Sequence, residues 1–191
     1  MQILKERIVK DGKCIGDDIL KVDSFLNHQI DVELLSLMGK EFSEIFKDLG
    51  INKILTIEAS GIPIACEVAR QMGNLPVVFA KKSAPSTMVE GCYVSPVVSF
   101  TKGTTSYVRV SKEFIGENDI VLLIDDFLAR GEAANGLFDI CRQAGAKCVG
   151  LGAAIEKQYQ GGAERLRAKG LKVVSLACIK IIHDGQIEFV D

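Results

Sequence analysis

From Lys53 onward the chain alternates between short apolar runs and stretches with helical spacing. KILTIE at 53–58 reads as a strand. Ile62 to Met72 reads as a helix, with Pro63 in its first turn and Gly73 closing it, and PVVFAKK at 76–82 as a second strand. DIVLLID at 119–125 is the near-continuous apolar run that a parallel strand buried on both faces requires. Leu137, Ile140, Cys141 and Ala144 then recur at helical spacing. CVGLGAAIE, GGAERLRAKG and LKVVSLACI follow as strand, helix and strand, and GQIEFVD suits a last edge strand. Strands separated by single helices predict an α/β fold: an open, mainly parallel sheet with flanking helices on both faces. The regularity breaks over 83–108. Residues 83–91 read as a loop around Pro85 and Gly91, and CYVSPVVSFT and TSYVRV as strands joined at Lys102-Gly103. A flexible antiparallel insertion is expected there.

The first fifty residues follow another pattern. Residues 2–11 read as a short amphipathic helix carrying Ile3, Leu4, Ile8 and Val9. CIGDDILKVDSFLNHQI at 14–30 has mixed character and predicts no regular element. A long helix follows, with Asp31 as N-cap, an apolar face of Leu34, Leu35, Met38, Phe42, Ile45, Phe46 and Leu49, and Gly50 at its end. No linker, repeat or charge block divides the chain, so residues 1–191 are expected to form a single domain.

Composition narrows the function classes. The chain has 191 residues, 48% of them hydrophobic and 25% charged, which is ordinary for a globular protein. A net charge of -2 argues against nucleic-acid binding by phosphate neutralisation, and 6% aromatics without Trp supply few stacking platforms. No stretch reaches the roughly 18 apolar residues of a membrane span, and the N-terminus MQILKERIVKDGK lacks a secretory apolar core. No membrane partner and a cytoplasmic location are expected. The six cysteines show no CxxC spacing and read as reduced, packed thiols.

Ligands of open parallel sheets sit beyond the carboxyl ends of the strands. Those ends carry Glu58-Ala59-Ser60-Gly61, Lys81-Lys82, Asp125-Asp126 and Glu156-Lys157. The most specific stretch is VLLIDDFLARGEAANG at 121–136, in which an apolar strand delivers adjacent carboxylates and a tight loop then opens a helix. Amides at a helix N-terminus bind phosphate, and paired acids accept from ribose hydroxyls. Together they describe a cradle for ribose 5-phosphate, although a solvated strand end would also carry such acids. Gly150-Leu151-Gly152 lacks the third glycine of a dinucleotide fingerprint and reads as close packing within a strand.

VLLIDDFLARGEAA resembles the diphosphoribosyl-binding signature of type I phosphoribosyltransferases. TIEASGIPIA, PVVFAKK, AAIEK and the N-terminal run Leu20-Lys21-Val22-Asp23-Ser24-Phe25-Leu26-Asn27-His28-Gln29 extend the resemblance over nearly the whole chain. The N-terminal run points to the xanthine-using branch. The resemblance implies transfer of ribose 5-phosphate from 5-phosphoribosyl 1-diphosphate to xanthine in purine salvage. It also implies a homodimer and a Mg²⁺ cofactor bound mainly through the diphosphate; no dedicated protein metal site is visible. It assigns Asp125 and Asp126 to catalysis at the ribose hydroxyls, and Ala129, Arg130, Gly131, Glu132 and Ala133 to the 5-phosphate. Ser60 and Lys82 fall to the diphosphate, Leu20, Asn27 and Lys157 to xanthine, residues 1–30 to a base-recognition hood, and 83–108 to a closing loop.

The residues themselves leave other roles open. Lys157 offers only donors and suits a carbonyl-bearing base, but also suits a salt bridge to an acid. Asn27 reads equally as a turn or cap residue and Leu20 as core. The phosphate loop lacks the hydroxyls common in the family, and Glu132, an anion beside a phosphate, is expected to point into solvent. Two alternatives stay in view. One is transfer to hypoxanthine, guanine or adenine. The other is a non-catalytic sensor of phosphoribosyl diphosphate, which would carry an added DNA-binding segment, whereas this chain begins almost at the enzyme-like run.

Overall fold

A computed structural model describes residues 1–83, 90–99 and 104–190. Its centre is the predicted sheet. Strands β3 (Lys53–Ile57), β4 (Val77–Ser83), β7 (Ile120–Leu128), β8 (Lys147–Lys157) and β9 (Lys172–His183) run parallel, with helices between them. Strands β5 (Cys92–Ser99) and β6 (Thr104–Ser111) form the expected antiparallel insertion on one edge, and β10 (Gln186–Phe189) closes the other. Among the described residues the order is β10-β9-β8-β7-β3-β4-β6-β5. The expected loop at 84–89 and the turn at Lys102-Gly103 lie outside the described residues.

Period-two alternation sorts each strand onto two cores. In β7, Leu122 and Ile124 face α2 (Val32–Phe46) and α3 (Gly61–Gln71), while Val121 and Leu123 face α4 (Glu132–Gln143) and α5 (Gly162–Arg167). The long helix begins and ends as predicted. Asp31 accepts from Leu34 N at 3.1 Å, and the chain leaves through a 3-10 turn at Lys47–Leu49 and a left-handed Gly50. The glycines of β8 serve packing: a Cβ on Gly152 would meet Phe42 Cε1 at 2.8 Å, and one on Gly150 would meet Phe46 Cε1 at 2.9 Å.

Two segments depart from the sequence pattern. The stretch 14–30 is ordered: β1 (Lys13–Ile15) and β2 (Ile19–Lys21) make a hairpin, and Asp23–Asn27 forms one π-helical turn. The hairpin's outward Ile15 and Ile19 are exposed, so its apolar residues do not mark a buried face. Helix α1 (Gln2–Asp11) holds this unit to the sheet edge, with the Met1 amino group donating to Leu176 O at 2.5 Å and Lys5 Nζ to Val190 O at 2.7 Å. Strand β7 also runs further than predicted, to Leu128, because Phe127 and Leu128 pair with Ile155 and Glu156. The acid pair therefore lies within a strand instead of after it. Among the cysteines, Cys66 is exposed, contrary to the expectation of packed thiols.

The Phe42–Gly152 contact predicts that Gly152→Val overpacks this core and costs about 1–3 kcal/mol. Phe42→Ala should cost about 3–5 kcal/mol by leaving a cavity. Urea unfolding of the two variants checks both values.

Candidate active site

The carboxyl ends of β3, β4, β7 and β8 converge on one crevice with two lobes. The first, of about 280 Å³, is wrapped by residues 128–134 at the turn from β7 into α4. Ala129, Arg130, Gly131, Glu132 and Ala133, the residues expected at the 5-phosphate, all line it. Gly131 has φ +81 at the helix N-cap, a conformation that L side chains rarely adopt. The first-turn amides of α4 lack helical acceptors and suit an anion. Glu132 is half-buried and lines this lobe, which corrects the expectation that it points into solvent. Its position in the first turn explains the placement, since a carboxylate there is favoured by the helix dipole.

The second lobe, of about 480 Å³, is lined by Glu58 to Gly61, Lys82 and Asp126. It shares Asp125, Phe127 and Ala133 with the first. The Glu58–Ala59 peptide is cis. Glu58 Oε1 accepts from Lys82 N at 2.6 Å and so fastens the end of β4 to the loop after β3. Ser60 and Lys82 are thus brought beside the acid pair.

The two acids differ sharply. Asp125 is 5% exposed, while Asp126 is half-buried. Burial, and next the charge of Asp126, push the Asp125 carboxyl well above the usual carboxylate range; the Asp126 amide and Lys82 act against the shift. Each carboxylate accepts from the following amide, Asp125 Oδ1 from Asp126 N at 3.0 Å and Asp126 Oδ1 from Phe127 N at 2.9 Å.

Lys157 ends β8 on the same side. Its ammonium donates to the main-chain oxygen of Asp18, in the β1–β2 turn, and lies 5.9 Å from the Phe127 ring centroid. Burial lowers its pKa, and Asp18 and Cys14 partly offset that. The salt-bridge alternative is therefore replaced by a main-chain acceptor. Leu20 is core, opposite Cys14 in the hairpin, and Asn27 is exposed at the end of the π turn. Neither lines the two lobes. Among the described residues no three His, Cys, Asp or Glu side chains gather as metal ligands. The acid pair, which is two carboxylates and not a cage, fits a Mg²⁺ ion whose shell is largely substrate oxygens and water.

A profile of the phosphoribosyl transferase domain matches residues 27–185. The chain belongs to the phosphoribosyl transferase family. This phosphoribosyl transferase is 54% identical over 191 residues to the xanthine phosphoribosyltransferase of Ruminiclostridium cellulolyticum, covering 100% of both chains. It is 49% identical to that of Streptococcus agalactiae, covering 100% of this chain and 98% of the relative. Adenine phosphoribosyltransferase structures share its fold. That of Giardia lamblia, complexed with 9-deazaadenine, has TM-score 0.75 at 21% identity, over 92% of this chain and 97% of that one. That of Rhodothermus marinus has TM-score 0.74 at 20% identity, over 93% and 99%. The fold is type I.

Phe127, Asp18 and Gln160 are among the lining residues for which the sequence suggested no role. Phe127 stood beside the acid pair and was legible as the next strand residue. Asp18 had no signal, since 139 positions separate it from Lys157.

The raised pKa of Asp125 has a definite sign. Folding favours its protonated form, so it costs stability progressively as pH rises above the unfolded carboxylate value of about 4. Asp125→Asn should raise the melting temperature at neutral pH by roughly 2–6 °C, with the gain shrinking towards pH 4. The same variant should lose about a hundredfold or more in turnover. Calorimetry across pH, beside an activity assay, checks the trade-off.

Proposed function

We propose that the protein transfers ribose 5-phosphate from 5-phosphoribosyl 1-diphosphate to xanthine, giving xanthosine 5′-monophosphate and diphosphate. The observation that carries this reading is a crevice in which a helix-capping turn and a buried acid pair meet, with a donor-only lysine at the end of the neighbouring parallel strand. Curated relatives at 46–54% identity over essentially the whole chain carry the name xanthine phosphoribosyltransferase, which supports xanthine among the purines. A homodimer in the cytoplasm belongs to the same proposal, on the strength of the family resemblance.

In this reading the amides of 129–133 bind the 5-phosphate, and Asp125 and Asp126 hold the ribose hydroxyls. Ser60 and Lys82 orient the diphosphate. Breaking the C1–O bond leaves positive charge on the sugar, and the bonding pair departs with the diphosphate. The adjacent carboxylates face that developing cation, and the low-dielectric crevice strengthens their effect. The attacking purine nitrogen then forms the C1–N bond, and the base gives up its proton. Asp125 and Asp126 would help hold a Mg²⁺ ion carried by the diphosphate, and that ion would supply charge neutralisation to the leaving group. Loop 83–108 is assigned to excluding water.

Lys157 is assigned to a xanthine carbonyl, with Leu20 and Asn27 shaping the hood. An adenine amino group at that carbonyl position would leave the ammonium unpaired, and mismatches of this kind reject a base strongly. Phe127, whose ring faces both lobes and the ammonium, is placed to stack on the base.

Incubation with Mg²⁺, phosphoribosyl diphosphate and each purine should give nucleotide with xanthine first and with adenine not at all. No product with any base, alongside tight binding of phosphoribosyl diphosphate, would support a sensor instead. Lys157→Met should raise KM for xanthine about tenfold or more and erase its preference over hypoxanthine. Because burial lowers the Lys157 pKa, the ammonium is lost below the ordinary lysine value of 10.5. KM for xanthine should therefore climb on the alkaline side earlier than an exposed lysine would allow, and that limb should be absent in Lys157→Met.

A further inference from the structure

The segment from Lys157 to Gly162 runs between the hood and the phosphate loop and touches both. On the hood side, Lys157 Nζ donates to Asp18 O, Gln160 Nε2 donates to Asp18 Oδ1 at 2.6 Å, and Tyr159 Oη donates to the same oxygen at 3.2 Å. The Tyr159 hydroxyl is pushed up to about 12, by burial first and then by Asp18, so it stays a donor. On the loop side, Gly162 N donates to Ala129 O at 3.1 Å. The approach is close enough that a Cβ on Gly162 would sit 2.3 Å from that oxygen and 2.8 Å from Gly131 N. Arg165 completes the connection, with Nη2 donating to Arg130 O at 2.7 Å and to Gln160 O at 3.1 Å.

These contacts form one unbroken path: phosphate loop, Arg165, Gln160, Asp18, Lys157. We propose that Arg165, Gln160 and Asp18 are positioning residues that couple occupancy of the 5-phosphate loop to the placement of Lys157 and the hood, so that phosphoribosyl diphosphate prepares the base site. The inference rests on the transferase reading and adds to it a mechanism of substrate coupling.

The physical basis is the chemistry of each link. An ammonium has three donors, and one spent on Asp18 O fixes the direction of the others. Asp18 O is itself aimed by the turn, and the turn is held by its own carboxylate through Gln160 and Tyr159. The main chain of Gln160 is in turn tied to Arg165, whose Nη2 donates to both Arg130 O and Gln160 O. A phosphate that draws the 129–133 amides inward moves Arg130 O, and this path carries the displacement to Lys157. Spatial continuity alone does not establish coupling. The discriminating quantity is the effect of each end on the other's substrate.

Arg165→Ala tests it, because Arg165 bonds the main chain of Arg130 and of Gln160 and, among the described residues, makes no direct hydrogen bond to Lys157 or Asp18. Steady-state kinetics with both substrates varied should show KM for xanthine rising about three- to tenfold at saturating phosphoribosyl diphosphate. At the other end, Asp18→Ala removes an anion that lines the phosphate lobe. Electrostatics alone would leave xanthine binding untouched and tighten phosphoribosyl diphosphate. The path predicts a rise in KM for xanthine of similar size, with rescue by Asp18→Asn, which keeps the acceptor oxygen. The double variant Asp18→Ala/Arg165→Ala should be no worse than the poorer single one, since both break the same path.

Thermal melting confirms that each variant is folded. If Arg165→Ala stays folded and active and alters only KM for phosphoribosyl diphosphate, or if the two substitutions simply multiply, the coupling path is overturned while the transferase reading stands. If the unaltered protein makes no nucleotide from any purine, the transferase reading itself fails.

Discussion

Two carboxylates stand on adjacent residues of one strand, and the rest of the crevice is arranged around the energetic cost of placing them there. Asp125 is almost wholly withdrawn from water with Asp126 beside it, so its carboxyl resists ionisation. Among the described residues no salt bridge is made by either carboxylate, and Lys82 is the cation that acts on Asp125. Such an arrangement disfavours the native state and is tolerated because the flanking strands over-determine it, with β7 bonded to β3 on one side and β8 on the other. A ligand bearing hydroxyls and a divalent cation would relieve the cost. That is the sense in which a site can be built to be completed by its substrate.

Everything else in the crevice follows from where the parallel strands stop. The phosphate loop exists because β7 must turn directly into α4, and the turn leaves helix amides facing the lobe beside the acids. The loop after β3 and the end of β4 bring Ser60 and Lys82 to the other side of the same pair. The neighbouring strand β8 ends in Lys157, which donates to Asp18 O in the hairpin of β1 and β2. In a molecule with net charge of -2, helix amides and Lys82 thus stand at neighbouring strand ends.

The packing that supports this arrangement is close enough to explain several residue choices. Phe42 and Phe46 of α2 lie on the strand glycines Gly152 and Gly150, which lets a helix built early in the chain brace β8 directly. Gly162 lies against Ala129 O and Gly131 N with no room for a side chain, which joins α5 to the phosphate loop. These contacts make the crevice stiff where it holds charge.

Much of the fold was written in local pattern. Apolar runs and helical spacing predicted β3, α3, β4, β7, β8 and β9, and Asp31 and Gly50 marked both ends of the long helix, because periodicity and caps are properties of neighbouring residues. The phosphate loop and acid pair were legible for the same reason: all of their residues lie within one stretch of chain. Tertiary structure alone decided the rest. It extended β7 past the acids through pairing with β8, and it turned Glu132 along the lobe. It ordered the hairpin at 13–21, which buries Leu20 but leaves Ile15 and Ile19 half exposed. It also set Asp18 against Lys157, Tyr159 and Gln160. Contacts between residues nearly 140 positions apart leave no trace in spacing, because they are fixed by which strand ends the sheet order brings together.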